Sequence, residues 1–150
     1  SSRTTRMPAE GAIPARGVFD TNILIHWERL DLAVLPREGS ITAVTVAELA
    51  AGIHAAGSAM ERAERVDKLQ RAESAFEPIP FDSAAARAYG RVSAAVRSAG
   101  RSPRSRVADQ MIAAIAVSRQ LPLYTTNPGD FIGLDQLLTV IAVARPVDQD

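Results

Sequence analysis

Short apolar segments alternate with longer helix-forming segments along most of this chain. Five segments are short and apolar enough to be buried strands: 17–19, 40–44, 76–81, 121–126 and 138–143. The segments between them carry helical periodicity or helix-capping residues: 23–30, 49–56, 59–75, 83–98 and 107–120. Alternation of this kind is typical of a parallel sheet covered on both faces by helices. The pattern predicts an α/β fold with about five short strands.

Capping residues and prolines refine these boundaries. Thr45 and Glu48 have the spacing of a capping box, which predicts that the second helix starts at Thr45. Asp82 precedes a long apolar-periodic segment and is predicted to cap its first turn. Pro78 and Pro80 weaken the third predicted strand, because proline cannot donate to a sheet.

A chain of 150 residues with 47% hydrophobic residues is long and apolar enough for one domain. Residues 1–15 are polar and contain two prolines, so we expect a flexible amino-terminal arm. The folded domain is expected over residues 16–145, followed by a polar tail over 146–150. With neither a long apolar run nor a signal peptide, we expect no membrane partner and a cytoplasmic location.

The rare residue types exclude several chemistries. The chain has no cysteine and two histidines, which argues against disulfides, iron–sulfur clusters and zinc sites. Lys68 is the only lysine, and no phosphate-binding glycine loop precedes a lysine. The formal net charge is zero, yet residues 83–108 contain six arginines and no acid. A solvated helix face and a phosphate-binding surface are equally good interpretations of this basic interval.

Four acidic residues occupy positions where a parallel sheet gathers functional groups. Asp20 follows the first strand, Glu48 lies early in the next helix, Asp109 opens the last long helix, and Asp130 follows the fourth strand. Each has an ordinary structural explanation: Asp20 and Asp130 as turn residues, Glu48 as part of the capping box, and Asp109 as a favourable charge at a helix start. Ligand sites of open parallel sheets lie at the carboxyl ends of the strands, which favours a joint role in one cleft.

A cluster of carboxylates raises the pKa of its members and favours a bound cation. Oxygen ligands without cysteine or a histidine pair suit Mg²⁺ or Mn²⁺ rather than zinc. Mg²⁺ takes one or two carboxylates together with water and substrate phosphate oxygens. The chemistry that fits is attack of water on a phosphodiester, with the nearby arginines gripping phosphate.

These residues also match a family in order and spacing. The chain resembles PIN-domain proteins, and more narrowly the VapC-type toxin ribonucleases of bacterial toxin–antitoxin modules. The resemblance covers residues 17–143 and rests on four segments: VFDTN (18–22), TVAEL (45–49), VADQMIAA (107–114) and TNPGDF (126–131). No single segment is specific, whereas the order and spacing of all four are.

The resemblance implies a role for each matching residue. Asp20, Glu48 and Asp109 would form the catalytic acidic triad that binds Mg²⁺, with Mn²⁺ as a possible substitute. Asp20 and Asp109 would be the direct ligands, while Glu48 would act through water. Asp130 looks like the family's fourth catalytic acid. Asn22, Thr126 and Asn127 would contact phosphate or support the carboxylates. Four arginines would bind RNA: Arg97, Arg101, Arg104 and Arg106.

The resemblance further implies a three-layer α/β/α PIN-like fold with a mainly parallel central sheet. It implies a homodimer, an RNA substrate and a cognate antitoxin that joins the toxin in a hetero-oligomer. The function expected is a Mg²⁺-dependent endoribonuclease toxin. The alternative is a catalytically inactive RNA- or protein-binding module on the same fold. Receiver domains and haloacid-dehalogenase-type phosphatases fit poorly, because their required lysine and second aspartate are not at the matching positions.

Overall fold

The computed structural model describes residues 13–147, and its elements alternate as the sequence predicts. The strands are β1 (Arg16–Phe19), β2 (Glu38–Ser40), β3 (Leu123–Thr125) and β4 (Val140–Ala142). The helices are α1 (Thr21–Ile25), α2 (Ala43–His54), α3 (Ala59–Ala75), α4 (Ser83–Ser98) and α5 (Val107–Arg119). Short 3-10 helices cover Trp27–Arg29, Leu32–Val34 and Pro128–Phe131, the last of them where the sequence predicts a turn.

The strands form one parallel sheet in the order β2-β1-β3-β4. Val18 of β1 lies between Ser40 of β2 and Leu123 of β3, and Leu123 in turn pairs with Val140 of β4. The first strand that the structure describes, β1, is therefore an inner strand. The carboxyl ends of β1 and β3, the two inner strands, lie side by side at one edge of the sheet.

Four of the five predicted strands have a counterpart, but β2 shares only Ser40 with the strand predicted over 40–44, and β3 and β4 are shorter than predicted. The strand predicted over 76–81 is wrong within the described residues. Only Ile79 pairs there, in an isolated parallel bridge to Thr42. Pro78 and Pro80 flank Ile79 and lack the N–H groups that a longer ladder needs. The sheet that the structure describes therefore has four strands rather than about five.

Helices cover both faces of the sheet, which confirms the predicted three-layer architecture. Alternate residues of the inner strands point to opposite faces. Val18 and Leu123 join an apolar cluster with α4 and α5, whereas Phe19 and Tyr124 join a second cluster with α1 and α3. All four of these strand side chains are buried. The sheet is thus the middle layer and separates two hydrophobic cores.

Two helix starts differ from prediction. The hydroxyl of Thr42, not Thr45, accepts a hydrogen bond from the helix, so α2 begins at Ala43 and the predicted capping box is wrong. Helix α1 begins at Thr21 because Asp20 accepts its N–H, and the helix stops at Ile25 before the 3-10 helix takes over. Helices α3, α4 and α5 are confirmed, and Asp82 caps α4 as predicted.

The predicted amino-terminal arm and carboxyl-terminal tail fall largely outside the described residues. Ala15, at the end of the predicted arm, already accepts a backbone hydrogen bond from Glu38, the first residue of β2. Over residues 13–147, no helix is both long and apolar enough to cross a membrane.

Candidate active site

The carboxyl ends of β1 and β3 are joined by a buried carboxylate. Asp20 follows β1 and is 3% exposed. Its Oδ2 accepts a hydrogen bond of 2.8 Å from the hydroxyl of Thr125, the last residue of β3. Its Oδ1 accepts the backbone N–H of Thr21 at 2.9 Å. The strand pairing therefore fixes the position and the rotamer of the Asp20 carboxylate.

Asn22 completes the link between the two strand ends. Its Nδ2 donates to Asp20 Oδ2 and to Thr125 Oγ1, each at 3.1 Å. Its Oδ1 accepts the backbone N–H of Thr126 at 3.0 Å. The Thr125 hydroxyl also accepts the backbone N–H of Asn127 at 3.0 Å. Of the predicted supporting residues, Asn22 bonds to Asp20 directly, whereas Thr126 and Asn127 are linked to it only through backbone N–H groups that donate to Asn22 and Thr125.

Glu48 reaches the same edge of the sheet from α2. The Thr21 hydroxyl donates to Glu48 Oε1 at 2.6 Å, and it also lies 2.8 Å from the Thr45 hydroxyl. Because one hydroxyl has one proton, Thr45 is the donor to Thr21 in this chain of bonds. The explanation of Glu48 as a capping residue is therefore wrong. Two threonine hydroxyls hold its carboxylate beside Asp20.

Asp109 enters from the first turn of α5, where its carboxyl is half-buried. The pKa of Asp109 is raised to about 7, first by burial and then by the charges of Asp20, Asp130 and Glu48, while Arg106 lowers it. The repulsion places all four predicted acids in one electrostatic neighbourhood. The charge of Asp109 is favoured by its position at the start of α5, but burial and the neighbouring carboxylates disfavour that charge more strongly. Its position in the helix alone therefore does not explain this residue.

Asp20 has a similarly perturbed titration. Burial raises the pKa of Asp20 to about 6, and the charges of Glu48 and Asp130 act in the same direction. Hydrogen bonds from Thr125 and Thr21 lower the pKa and offset part of this effect. Carboxyls whose pKa values are strongly raised by burial and by one another's charge are a frequent mark of a functional site.

Asp130 differs from the other three acids because it has a cationic partner. Its Oδ1 forms an ion pair with Arg106, and its Oδ2 accepts a hydrogen bond from Asn127 Nδ2 at 3.0 Å. Among the described residues, neither Asp20, Glu48 nor Asp109 forms an ion pair with an arginine or lysine. The uncompensated negative charge is therefore concentrated on these three.

The donor set fits a small divalent cation held by few protein ligands. Buried oxygen donors with raised pKa values are stabilised by a cation, and hard oxygen ligands suit Mg²⁺ or Mn²⁺. Over residues 13–147, no group of three or more His, Cys, Asp or Glu side chains is placed so that it could hold a metal ion. Mg²⁺ needs only one or two carboxylates, with water filling the remaining positions. A pair such as Asp20 and Asp109 meets that requirement.

The predicted arginines divide into two groups. Arg101 donates to the carbonyl oxygen of Gly129 at 2.9 Å, and Arg106 pairs with Asp130, so both reach the turn beside the acids. Arg97 and Arg104 are exposed, and the structure brings neither to a described acid of the site. The loop after α4 therefore supplies two basic side chains close to the carboxylates.

The threonines of the site are absent from the sequence-based candidates. Thr21, Thr45 and Thr125 are buried and make the hydrogen bonds that orient Asp20 and Glu48. A signal was present for two of them: Thr21 lies between two candidates, and Thr125 is the last residue of a predicted buried strand. Thr45 is recognisable only from the packing of α1 against α2.

The fold and the site agree with comparisons to known proteins. The family model for the PIN domain matches residues 18–136. This chain belongs to the PIN-domain family. Ribonuclease VapC5 from Mycobacterium tuberculosis (strain ATCC 25618 / H37Rv) is 39% identical to it over 130 residues, which covers 85% of this chain and 93% of the relative. The predicted family resemblance is confirmed.

Solved structures of similar chains extend the comparison. VapBC-5 from Mycobacterium tuberculosis, a member of the VapBC family of toxin-antitoxin systems, matches with a TM-score of 0.75 at 38% identity, covering 87% of this chain and 98% of that one. FitAcB from Neisseria gonorrhoeae matches with a TM-score of 0.68 at 24% identity, over 83% of this chain and 95% of that one. At that identity the second likeness concerns the fold alone.

Proposed function

We propose that this protein is a VapC-type toxin, an endoribonuclease that depends on Mg²⁺ and is neutralised by a cognate antitoxin. The observation that carries the proposal is the set of buried, mutually repelling carboxylates at the carboxyl ends of β1 and β3. The similarity to Ribonuclease VapC5 supports RNA as the substrate. We further propose the cytoplasm, where that RNA lies, as the location.

In this proposal Asp20 and Asp109 hold the cation, for which Mn²⁺ is a substitute. When bound, the cation supplies a nucleophilic water at neutral pH and stabilises the negative charge on the phosphorus oxygens. The protein contributes orientation. Thr125, Asn22 and the N–H of Thr21 fix the Asp20 carboxylate before substrate arrives, so no reorganisation is needed during the reaction.

Glu48 orients the attacking water and accepts its proton. The Thr21 hydroxyl fixes Glu48 Oε1, which leaves Oε2 without a described partner for that task. A candidate base must lie within hydrogen-bond reach of the proton that it removes. The proximity of Glu48 to Asp20 and Asp109 is supported by the mutual effect of their charges on pKa.

The proposed partners are an antitoxin, a second copy of this chain and RNA. The similar structure of VapBC-5 belongs, by its description, to a toxin-antitoxin family, which supports an antitoxin partner and a hetero-oligomer. The antitoxin would be a small protein that abolishes cleavage when mixed with this chain. The homodimer is checked by light scattering of the purified protein.

The test is cleavage of total bacterial RNA by purified protein with Mg²⁺ or with EDTA. We expect discrete cuts that require Mg²⁺ and that fall at least a hundredfold in Asp20→Ala and Asp109→Ala variants with native circular dichroism. Mn²⁺ affinity, measured by electron paramagnetic resonance, should fall in the same variants. If no form cuts RNA but the protein still binds it, the inactive binding module becomes the better description.

A further inference from the structure

The loop between α4 and α5 is held against the acidic site at three points. Arg101, the third residue of this loop, reaches the carbonyl oxygen of Gly129 in the Pro128–Phe131 turn. Arg106, its last residue, reaches the carboxylate of Asp130 in the same turn. From inside, the buried Gln110 donates through Nε2 to the carbonyl oxygens of Pro103 at 2.7 Å and Ser105 at 2.9 Å. The basic loop is therefore ordered before any ligand binds.

A cavity lies between this loop and the turn. Its volume is about 270 Å³, and the side chains around its opening include Arg101, Ser102, Ser105, Arg106 and Asp130. Because a water molecule occupies about 30 Å³ in the liquid, the cavity has room for a phosphate group with several waters. Hydroxyl and guanidinium donors are the groups that proteins use to bind phosphate oxygens.

The backbone of Arg106 is unusual for a helix start. Arg106 is the residue before α5, where Ser, Thr, Asp or Asn normally caps the helix from an extended conformation. Here φ is 56° and ψ is 46°, in the left-handed region, and the side chain makes no capping hydrogen bond. Gln120 has similar angles, but it ends α5, where that conformation is common. The strained backbone of Arg106 is not compensated by a capping hydrogen bond at the helix start. Uncompensated backbone strain of this kind is typical of a residue with a functional role.

Arg106 also has the correct surroundings for a phosphate ligand. It lies near Asp109, and about half of its side chain, 52%, is exposed, although one guanidinium nitrogen is bound to Asp130. Guanidinium has five N–H donors, so a single ion pair leaves a face free for a bidentate contact with phosphate. Asp130 fixes the direction of that face.

We propose that Arg106 binds the phosphodiester of the RNA substrate, and that Asp130 is the positioning residue of Arg106 rather than a ligand of the metal. This inference rests on the proposed function and adds to it a specific phosphate contact. It also assigns the fourth acid a role different from that of Asp20 and Asp109, which form no ion pair with an arginine or lysine among the described residues.

The first experiment measures binding of a fluorescein-labelled single-stranded RNA of mixed sequence in EDTA, by anisotropy, at several salt concentrations. We expect Arg106→Gln to weaken binding about tenfold and to reduce the slope of log affinity against log salt by about 0.7, the value for one lost phosphate contact. Arg106→Lys should retain the slope but lose affinity, since it keeps the charge without the fork. Arg62→Gln, an exposed arginine of α3, is the matched control for loss of charge.

The second experiment separates Asp130 from the metal ligands. Asp130→Asn should bind Mn²⁺ within about twofold of the wild type, whereas Asp109→Asn should lose at least tenfold. In the Asp130→Asn background, Arg106→Gln should weaken RNA binding only about twofold, because Arg106 is no longer held. Thermal melting of each variant verifies that it is folded.

The outcomes are distinct. Equal RNA binding by Arg106→Gln and Arg62→Gln overturns the phosphate contact while leaving the proposed ribonuclease intact. Loss of Mn²⁺ in Asp130→Asn as large as in Asp109→Asn overturns the positioning role. If the wild type binds and cleaves no RNA, the proposed function itself fails, and this inference fails with it.

Discussion

Burial and mutual repulsion determine how the individual carboxyls of the site behave. The pKa of Asp20 lies near 6 and that of Asp109 near 7, because burial and neighbouring carboxylates disfavour their charged forms. The Thr125 hydroxyl acts in the opposite direction on Asp20, since it donates to the charged carboxylate. Above neutral pH, the site without metal therefore stores unfavourable charge that a cation would relieve.

Removing one of these charges should stabilise the protein when metal is absent. We expect Asp109→Asn to raise the melting temperature at pH 8 in EDTA, because the amide has the same shape without the half-buried charge. At pH 5 the wild-type carboxyl is protonated, so the difference should disappear. Scanning calorimetry at both values checks this, with the exposed Asp135→Asn as control. A lower melting temperature for Asp109→Asn at pH 8 would contradict the assignment of repulsion.

The Thr125 hydroxyl should contribute to stability out of proportion to its size. Thr125 is 0% exposed, donates to Asp20 and accepts from Asn22 and Asn127. We expect Thr125→Val to lower the free energy of unfolding by about 1–3 kcal/mol, the range for leaving buried polar groups without a partner.

The effect of Thr125→Val should also depend on pH. The loss should be larger at pH 8 than at pH 5, because the hydroxyl stabilises the charged form of Asp20. Urea unfolding at the two values is the measurement, and Thr139→Val, an exposed threonine next to β4, is the control. Equal losses at both pH values would show that the hydroxyl does not act through the Asp20 charge.

Sequence reasoning found the acids and missed much of what holds them. Asp20 and Asp130 follow predicted strands, so the rule for parallel sheets was enough to group them. The bond between Thr21 and Thr45 joins residues 24 positions apart, and it depends on how α1 packs against α2. The Arg106–Asp130 pair likewise depends on the path of a loop, which hydrophobic periodicity does not specify.

At the scale of elements, the start of a helix was predictable where its capping residue was correctly recognised, as for α4, and was not predictable for α2. Asp82 is the predicted cap before a periodic segment, and α4 begins directly after it. Before α2 the spacing of Thr45 and Glu48 predicts Thr45 as the cap, but the structure uses Thr42. The choice is made by tertiary packing, because Ile41 and Thr42 are fully buried and Ile79 bridges to Thr42. The same bridge is all that remains of the third predicted strand.

The cap of α4 provides a direct test at this scale. Asp82 accepts the backbone N–H of Ala85 at 3.0 Å and lies 3.7 Å from Arg119. We expect Asp82→Ala to lower the free energy of unfolding by about 1 kcal/mol, whereas Asp82→Asn should cost less, because asparagine caps well and exposed ion pairs contribute little. Urea denaturation measures both, with Glu77→Ala as the control at an exposed acid. Equal losses in the two variants would assign the stability to the ion pair instead.

At the scale of the whole molecule, two apolar clusters stabilise the fold while the site at the edge of the sheet opposes it. The clusters lie on opposite faces of the sheet and together include most of the buried apolar side chains of the described residues. This architecture was predictable from the alternation of strands and helices, because few other folds bury short apolar strands on both faces. For the site, the sequence predicted only that clustered carboxylates would repel one another and raise their pKa values, and it did not predict by how much.

Stability of the whole chain should therefore depend on pH and on the cation together. A carboxyl whose pKa is raised in the folded state stabilises the fold below its unfolded value of 3.8, and this stabilisation is lost as pH rises through the folded values near 6 and 7. We expect a lower melting temperature at pH 8 than at pH 5 in EDTA.

Addition of about 10 mM Mg²⁺ should recover part of the loss in melting temperature at pH 8, because the cation binds the folded state. The same addition should have little effect at pH 5, where the two carboxyls are protonated. Differential scanning fluorimetry gives all four melting temperatures. In the Asp109→Asn variant the dependence on both pH and Mg²⁺ should be reduced, and an unchanged dependence would place the responsible groups elsewhere.

The inner position of β1 has a consequence for how the chain is made. A ribosome synthesises Asp20 before its hydrogen-bond partner on β3, which follows 105 residues later. Until β3 emerges, β1 lacks its neighbour on one side, and Asp20 lacks the Thr125 hydroxyl that orients its carboxylate. Pairing across so long a loop is among the last events of folding. A nuclease built on this sheet would therefore be inert until β3 has been synthesised and has paired with β1.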